Sequence, residues 1–358
     1  MLITVDGRQL VNFSSNDYLG FAGEPALAEA AKRAIDEFGV GAGASRLVCG
    51  TLAPHAALER RLAEFKNTEA ALAFSSGYAT AVGTLGALAG KNDVVILDKL
   101  CHASLVDGAR LSGASLRVFP HNHLGKLESH LAWARKNEPA ARVIVATESV
   151  FSMDGDRAPL REIAGLKERY GALLLLDEAH AVGVIGRHGQ GLAQEEGVEV
   201  DIQMGTLSKA LGAGGGYICG KRNLIDLLIN RARSFIYSTA PPPAVAAAAH
   251  AAVDLLASDA GEERRQKLWA NLGRFAENPA SAIIPIAIGG EDTALAAARW
   301  LFEVGFFVPA IRYPTVAKGT ARLRVTLSAK HTPEQVAALA EALGTLQQKF
   351  ALHGKMPG

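Results

Sequence analysis

Short apolar runs alternate with amphipathic stretches along much of the chain, and this alternation most restricts what the chain can fold into. The apolar runs are VVILD (94–98), LRVF (116–119), VIVATES (143–149), ALLLLDEAH (172–180) and GGYICG (215–220). Strands that are covered by helices on both faces have such continuous apolar sequences. Residues 124–136 and 160–170 carry apolar side chains at steps of three and four, as amphipathic helices do. The sequence therefore predicts an α/β fold with a mainly parallel sheet between helices.

The length of 358 residues predicts two domains, because a single hydrophobic core stops growing at roughly 250 residues. Three consecutive prolines at 241–243 interrupt the regular pattern, and a second set of elements follows them. We therefore expect an N-terminal segment at 1–20, a large domain at 21–243 and a small α+β domain at 244–358. The expected elements of the small domain are strands in IIPIAIGG, FFVPAIRYPTV and ARLRVTLSA, and helices at 292–304 and 332–348.

Composition and charge exclude several classes of protein. Lysine plus arginine (37) nearly equals aspartate plus glutamate (36), so no net field favours nucleic acid or an acidic membrane. Cys49, Cys101 and Cys219 lie far apart without CxxC spacing, which indicates neither disulfides nor a metal site. The first residues lack a basic region followed by an apolar run, and polar residues interrupt the alanine-rich stretch 244–257. We expect a cytoplasmic enzyme without a metal or a membrane span.

An acidic residue, Asp177, directly follows the apolar run LLLL, and His180 comes three residues later. Open α/β sheets bind ligands at the carboxyl ends of their strands. A carboxylate there can keep a pyridine nitrogen protonated, and the imidazole can reach a phenolic oxygen or orient the carboxylate. On this fragment alone, Asp177 as a helix cap and His180 on the surface is an open alternative. The helicase reading of DEAH requires a G-x-x-x-x-G-K-[ST] loop, which this sequence does not contain.

Lys209 lies in the segment GTLSK, 32 residues after Asp177, and the glycine-rich stretch 212–216 follows it. A lysine at such a strand-to-loop transition can form a Schiff base with an aldehyde cofactor. Desolvation lowers the pKa of a lysine, so that the amine can act as a nucleophile and as a base. An isolated Ser-Lys pair would indicate a surface lysine, but the upstream aspartate and the downstream glycines favour a role for Lys209 in chemistry.

Two further segments belong to the same predicted edge of the sheet. In FSSGYAT (74–80), small residues lead into a helix whose backbone amides can bind an anion such as a phosphate. The alternative for this segment is an ordinary tight turn. His102 follows the run VVILD and can stack on an aromatic ring, although a structural histidine is the alternative there. Together the four elements predict a pyridoxal 5'-phosphate (PLP) site.

Ordered motifs over nearly the whole chain resemble the α-oxoamine synthases, a fold-type-I (aspartate aminotransferase-like) family of PLP-dependent transferases. The motifs are SNDYLG (15–20), GAGASRLVCG (41–50), FSSGYAT (74–80), HASLVDG (102–108), TESVFSMDGD (147–156), DEAHAVGVIG (177–186), GTLSKALG (205–212), FIYST (235–239) and GTARLRVTLSA (319–329). The family condenses an amino acid with an acyl thioester and releases carbon dioxide. The resemblance implies L-alanine and pimeloyl-CoA or a pimeloyl-acyl carrier protein as substrates, and a homodimer whose subunits share each active site.

The resemblance also implies roles for individual residues. Lys209 would hold PLP, Asp177 its ring nitrogen, and His102 its ring face. The other cofactor-binding residues would be His180 and Ser152 at the phenolic oxygen, and Ser76, Gly77, Tyr78, Thr206, Ser238 and Thr239 at or near the phosphate, with Thr239 supplied by the second subunit. Arg324 would bind the amino-acid carboxylate through its guanidinium group. Asn16 would lie near the reacting centre, and Arg312 and Arg322 would assist.

Two departures from the family pattern keep alternatives open. The family usually has a further helical segment before the VDGR-like stretch, whereas this sequence starts at Met1, and residues 268–284 are shorter than expected. Both departures predict weaker acyl-donor binding or stability with intact PLP chemistry. The alternatives are a glycine-using relative, such as 2-amino-3-oxobutyrate CoA ligase or 5-aminolevulinate synthase, and a catalytically impaired protein that binds PLP or acyl-CoA.

Overall fold

The structure is a computed structural model that describes residues 1–350. Its strands are β1 (Leu2–Val5), β2 (Arg8–Asn12), β3 (Ala70–Phe74), β4 (Val94–Asp98), β5 (Ser115–Phe119), β6 (Val143–Glu148), β7 (Leu173–Asp177), β8 (Ile202–Thr206), β9 (Gly216–Gly220), β10 (Ile283–Gly289), β11 (Phe306–Phe307), β12 (Ala310–Ile311) and β13 (Ala321–Thr326). Its α-helices are α1 (Pro25–Phe38), α2 (Ala53–Phe65), α3 (Gly77–Leu88), α4 (Ala103–Ser112), α5 (Leu124–Asn137), α6 (Leu160–Arg169), α7 (Leu192–Glu196), α8 (Arg222–Arg231), α9 (Arg233–Ile236), α10 (Pro243–Ala257), α11 (Asp259–Phe275), α12 (Glu291–Glu303) and α13 (Pro333–Lys349). None of these helices has both the length and the apolar character that crossing a bilayer requires.

The largest sheet has seven strands in the order β3-β9-β8-β7-β6-β4-β5. All neighbouring pairs from β8 to β5 are parallel, and only β9 runs antiparallel to both of its neighbours. The mainly parallel sheet predicted from the five apolar runs is confirmed, since each run contains one strand. The strands β3 (AALAF) and β8 (IQMGT) lay outside those runs because they are poor in the leucine and valine that mark the other strands.

The carboxyl ends of six strands lie at one edge of this sheet, because β3, β4, β5, β6, β7 and β8 run in the same direction. Three of these strands end on an acidic residue: Asp98, Glu148 and Asp177. The interiors of β3, β4, β6 and β7 are mostly buried apolar residues, with Ile144, Leu175 and others at 0% exposure. The apolar core thus fixes the strands, and the chemistry-bearing residues follow where the strands end.

The chain divides into two compact units, and the seven-stranded sheet belongs to the unit formed by residues 21–151 and 157–259. Helix α10 is part of this unit and packs against α1 and α2. The expected boundary near residue 243 therefore falls one helix before the observed division at residue 259, since the alanine-rich face of α10 is buried there.

The other unit comprises residues 1–20, 152–156 and the chain from residue 260 onward. It contains two three-stranded sheets, β1-β2-β11 and β10-β13-β12. The first twenty residues, expected as a separate segment, join this unit because β2 pairs with β11. Helix α13 begins at Pro333, and Thr332 is its N-cap as predicted and forms a capping box with Gln335. The last residues of the expected small domain, 351–358, lie outside the described residues.

Candidate active site

A cavity of about 180 Å³ lies at the carboxyl edge of the seven-stranded sheet. Its lining includes seven predicted site residues from separate parts of the chain: Gly77, Tyr78, His102, Asp177, His180, Thr206 and Lys209. All of them belong to the unit that contains this sheet. The fold therefore brings together the lysine, the aspartate, both histidines and the start of helix α3, as the strand-end pattern predicted.

Lys209 projects from the loop that follows β8, and its Nζ lies 2.7 Å from Nε2 of His180. The glycine-rich stretch shapes this loop, because the amide of Gly212 donates to the carbonyl of Lys209 over 2.9 Å. Gly212 has a φ of 63°, and a Cβ atom there would lie 2.3 Å from the amide nitrogen of Ala22. A glycine is thus required at this position, and the turn that it permits aims the amine of Lys209 at the cavity.

Asp177 ends β7 inside the cavity and is only 6% exposed. Its Oδ1 accepts a hydrogen bond from the amide of Ala179 over 2.9 Å. Burial raises the pKa of Asp177, while the amine of Lys209 and the Ala179 amide oppose this shift by favouring the carboxylate. A buried carboxylate in this setting is a good partner for a cationic nitrogen that enters the cavity.

The N-terminus of α3 provides an anion-binding surface on another side of the cavity. Ser76 caps the helix, and its Oγ accepts the amide of Ala79 over 3.0 Å. The amides of Gly77 and Tyr78 belong to the first turn, where no intrahelical acceptor exists. The hydroxyl of Thr206 also lines this side. Backbone amides, a helix dipole and a hydroxyl together suit a phosphate group.

His102 lies at the N-cap of α4 and lines the same cavity. Its Nδ1 lies 2.8 Å from Oγ of Ser104, which fixes the ring. Burial lowers the pKa of His102 and Lys209 lowers it further, whereas Asp177 and Asp107 oppose the shift. The ring is therefore neutral near pH 7, as a planar stacking partner of a heterocycle would be.

Arg324 belongs to the other unit, where hydrogen bonds hold its side chain and it is 5% exposed. Its guanidinium donates to the carbonyl of Ser152 over 2.6 Å, to Oγ1 of Thr326 over 3.0 Å and to Oδ1 of Asn16 over 3.2 Å. Such a pre-organised fork is suited to a carboxylate. The roles predicted for Arg324, Asn16 and Ser152 stay predictions.

The remaining predicted residues are placed differently. Arg322 is paired with Asp154 over 2.5 Å, and Arg312 is exposed. Thr239 is exposed and pairs with Ser45 through an isolated β-bridge. Neither Thr239 nor its neighbour at position 238 is among the described residues that line the cavity of their own chain. The predicted roles of Ser238 and Thr239 in the site of a second subunit therefore stay predictions.

The cavity also contains residues that were not predicted to be part of the site, of which Glu148 is the most important. The others are Ser104, Ala179, Met204 and Ser208. Glu148 ends β6 as Asp177 ends β7, and it is only 2% exposed. The signal that identified Asp177, an acidic residue at the end of a buried apolar run, was thus present at Glu148 as well.

The groups around the cavity fit PLP. The amine corresponds to the aldehyde of this cofactor, and the buried carboxylate corresponds to its ring nitrogen. The neutral imidazole corresponds to the ring face, and the helix N-terminus corresponds to the phosphate. Strand β9 approaches the start of α3 so closely that a Cβ atom on Gly216 would lie 2.8 Å from Cα of Gly77, so this position requires a glycine. The donor set therefore supports the cofactor expected from the sequence.

Comparisons with known proteins agree with this geometry. The profile of the class I and II aminotransferases matches residues 8–343. An 8-amino-7-oxononanoate synthase of Geobacter metallireducens is 48% identical over 355 residues, covering 95% of this chain and 90% of that protein. The chain also resembles a serine palmitoyltransferase variant from S. paucimobilis with a bound PLP-myriocin aldimine, at TM-score 0.92 and 30% identity, covering 98% of this chain and 90% of the other. An 8-amino-7-oxononanoate synthase structure from Francisella tularensis has TM-score 0.80 and 27% identity, covering 96% of this chain and 98% of the other.

Proposed function

The chain belongs to the class I and II aminotransferase family, and from this premise we propose that it condenses L-alanine with a pimeloyl thioester in biotin synthesis. The products would be 8-amino-7-oxononanoate, carbon dioxide and the free thiol of CoA or a carrier protein. The predicted fold-type-I architecture and the resemblance to α-oxoamine synthases are confirmed by these matches. The names of the relatives do not favour the glycine-using or impaired alternatives. The observation that carries the proposal is the convergence of Lys209, Asp177 and the α3 N-terminus on one cavity.

PLP, when bound, supplies an electron sink that stabilises negative charge at the Cα atom of the amino acid. Lys209 would hold the cofactor covalently through Nζ and, once displaced by alanine, would carry the Cα proton on the same atom. Asp177 would keep the ring nitrogen protonated, because its carboxylate is buried and accepts a hydrogen bond from the backbone amide of Ala179. His180, at 2.7 Å from Nζ, would orient the amine and contact the phenolic oxygen.

The amino-acid carboxylate would bind to Arg324. The hydrogen bonds to Ser152, Thr326 and Asn16 hold the guanidinium in one orientation, so little side-chain entropy would be lost on binding. Asn16 would also lie near the reacting atoms. A homodimer whose second subunit supplies Thr239 to the phosphate would account for the exposure of that residue in its own chain.

A direct assay tests the function. Purified protein with PLP, L-alanine and pimeloyl-CoA should release free CoA and form 8-amino-7-oxononanoate, as measured by a thiol reagent and mass spectrometry. Pimeloyl-acyl carrier protein, tested in parallel, would decide the donor. Turnover of glycine with acetyl-CoA or succinyl-CoA, and none with alanine, would support a glycine-using relative instead. Cofactor absorbance with alanine but no turnover with any thioester would identify an impaired protein.

Arg324→Lys should raise the KM for alanine about 10- to 100-fold. The ammonium group of lysine cannot form the paired hydrogen bonds of a guanidinium, and the lost charge-assisted bonds contribute about 1.5 to 3 kcal/mol. The affinity for PLP should stay unchanged. Steady-state kinetics with varied alanine, together with a PLP titration, would measure both quantities. Arg299→Lys, at an exposed position of α12, is the matched control and should leave the KM unaltered. An Arg324→Lys protein with a normal KM would remove Arg324 from the substrate site.

A further inference from the structure

Two carboxyl groups lie side by side in the cavity. Glu148 at the end of β6 is in register with Asp177 at the end of β7, so both side chains project from the same face of the sheet. Their exposures are 2% and 6%, and both residues line the cavity. Only Asp177 has a role in the function proposed above. Glu148 is thus a buried acid in the site without an assigned task.

The carboxyl group of Glu148 accepts a hydrogen bond through its Oε1 from the backbone amide of His102. This bond joins β6 to the loop that connects β4 with α4. His102 is the N-cap of α4, so the contact fixes the point at which the imidazole leaves the backbone. The carboxyl group of Glu148 therefore acts on the cavity through His102.

The charges around Glu148 do not allow both cavity carboxyls to be ionised at low cost. Lys209 lines the cavity together with the two acids. Burial lowers the pKa of His102, which favours its neutral form. Asp98, a further acid nearby, is occupied by the amides of Leu100 and Asn122 and by His121. Two buried carboxylates opposite one amine would leave an uncompensated negative charge, whose transfer from water is costly.

We propose that Glu148 is a positioning residue that holds a proton while Asp177 is ionised, and that its carboxyl oxygen fixes His102 at the cavity. The assignment of His102 to the cofactor rests on the proposed function, whereas the proton on Glu148 does not. A neutral Glu148 leaves a single negative charge in the pair, which matches the single positive charge of a pyridinium nitrogen. It also keeps an acceptor for the His102 amide, because the carbonyl oxygen of a protonated carboxyl still accepts a hydrogen bond.

The environments of the two acids support this division. Burial, together with the negative charge of Asp177, raises the pKa of Glu148 to about 8, against the opposing effects of Lys209 and the His102 amide. Burial also raises the pKa of Asp177, but Lys209 is its main opposing influence and the Ala179 amide adds to it. When neighbouring acids are pushed apart in this way, one holds the proton and the other the charge.

Glu148→Gln tests the proton, since glutamine is neutral at every pH and keeps the acceptor oxygen. In the full-length protein stripped of PLP, folded Glu148 stays protonated up to about pH 8, whereas the unfolded side chain ionises near pH 4.5. Rising pH therefore favours unfolding of the wild type. The ratio of unfolding equilibrium constants, wild type to Glu148→Gln, should increase about tenfold per pH unit between about pH 5 and pH 8, as urea titrations would show. Glu138→Gln, at an exposed position, should stay parallel to the wild type.

Affinity for PLP tests the positioning. Glu148→Gln should bind PLP within about threefold of the wild type, and Glu148→Ala, which lacks the acceptor, about tenfold more weakly.

Infrared difference spectra offer a second measurement of the proton, because the band of a protonated carboxyl should vanish in Glu148→Gln. Parallel pH profiles for wild type and Glu148→Gln would overturn the proton assignment, and equal PLP affinities for the glutamine and alanine variants would overturn the positioning role. A wild type that never binds PLP would end the proposed function and leave the unfolding result standing.

Discussion

Lys209→Ala should lower the turnover of alanine and pimeloyl-CoA by about 10⁴-fold, because one amine both holds the cofactor and carries the Cα proton. The structure gives this residue a fixed place, with Nζ at 2.7 Å from His180. Borohydride reduction provides a measurement that is independent of turnover. The wild type should gain the mass of reduced PLP at Lys209, and the variant should gain none.

Lys136→Ala is the matched control, since Lys136 is an exposed residue of α5. This variant should keep both the turnover and the mass gain of the wild type. A Lys209→Ala protein that is still labelled by PLP after reduction would show that another amine holds the cofactor. The proposed assignment of Lys209 would then be wrong, whatever the remaining activity.

Lys66→Met should destabilise the protein by about 3 to 5 kcal/mol, because it leaves the carboxylate of Glu178 buried without its counter-ion. The two side chains are 3% and 0% exposed, and Nζ lies 2.6 Å from Oε2. Lys66 also donates to the carbonyl of Gln190, and Glu178 accepts the amide of Ala193 over 3.0 Å. Urea unfolding monitored by circular dichroism would measure the loss.

Two variants separate the buried charge from the removal of a lysine as such. Lys32→Met breaks an ion pair with Glu29 on the surface of α1 and should leave the unfolding midpoint unchanged, since exposed pairs are screened by water. The double variant Lys66→Met with Glu178→Gln should regain part of the stability, because glutamine carries no charge and still accepts the Ala193 amide. Equal losses for the single and double variants would contradict the role assigned to the buried charge.

The sequence predicts much of this site because its chemistry lies at strand ends, where local patterns are strongest. The apolar run LLLL locates β7 and therefore Asp177, and the glycines after Lys209 indicate the turn that the structure contains. Glu148 carried the same signal, but the role of a second acid depends on register with Asp177, which is a property of the folded sheet.

Contacts between remote residues explain what the sequence could not predict. The ion pair of Lys66 with Glu178 joins residues 112 positions apart, and no local pattern identifies either one as the partner of the other. The unit boundary is a similar case, because the prolines at 241–243 interrupt the periodicity while α10 still packs on α1 and α2. The local sequence indicates where a helix such as α10 begins, whereas the surface that the helix buries decides which unit it joins.

Asp177 and Glu178 are consecutive in the chain, yet one faces the cavity and the other is paired with Lys66. The alternation of side chains along an extended backbone separates them, so a single residue step divides a reactive layer from a supporting layer. Substitutions that change the acidity of the cavity residues would thus leave the buried Lys66–Glu178 pair beside them intact. Loss of the Lys66–Glu178 pair would in turn loosen the backbone that carries Asp177, even though neither Lys66 nor Glu178 is among the described residues that line the cavity.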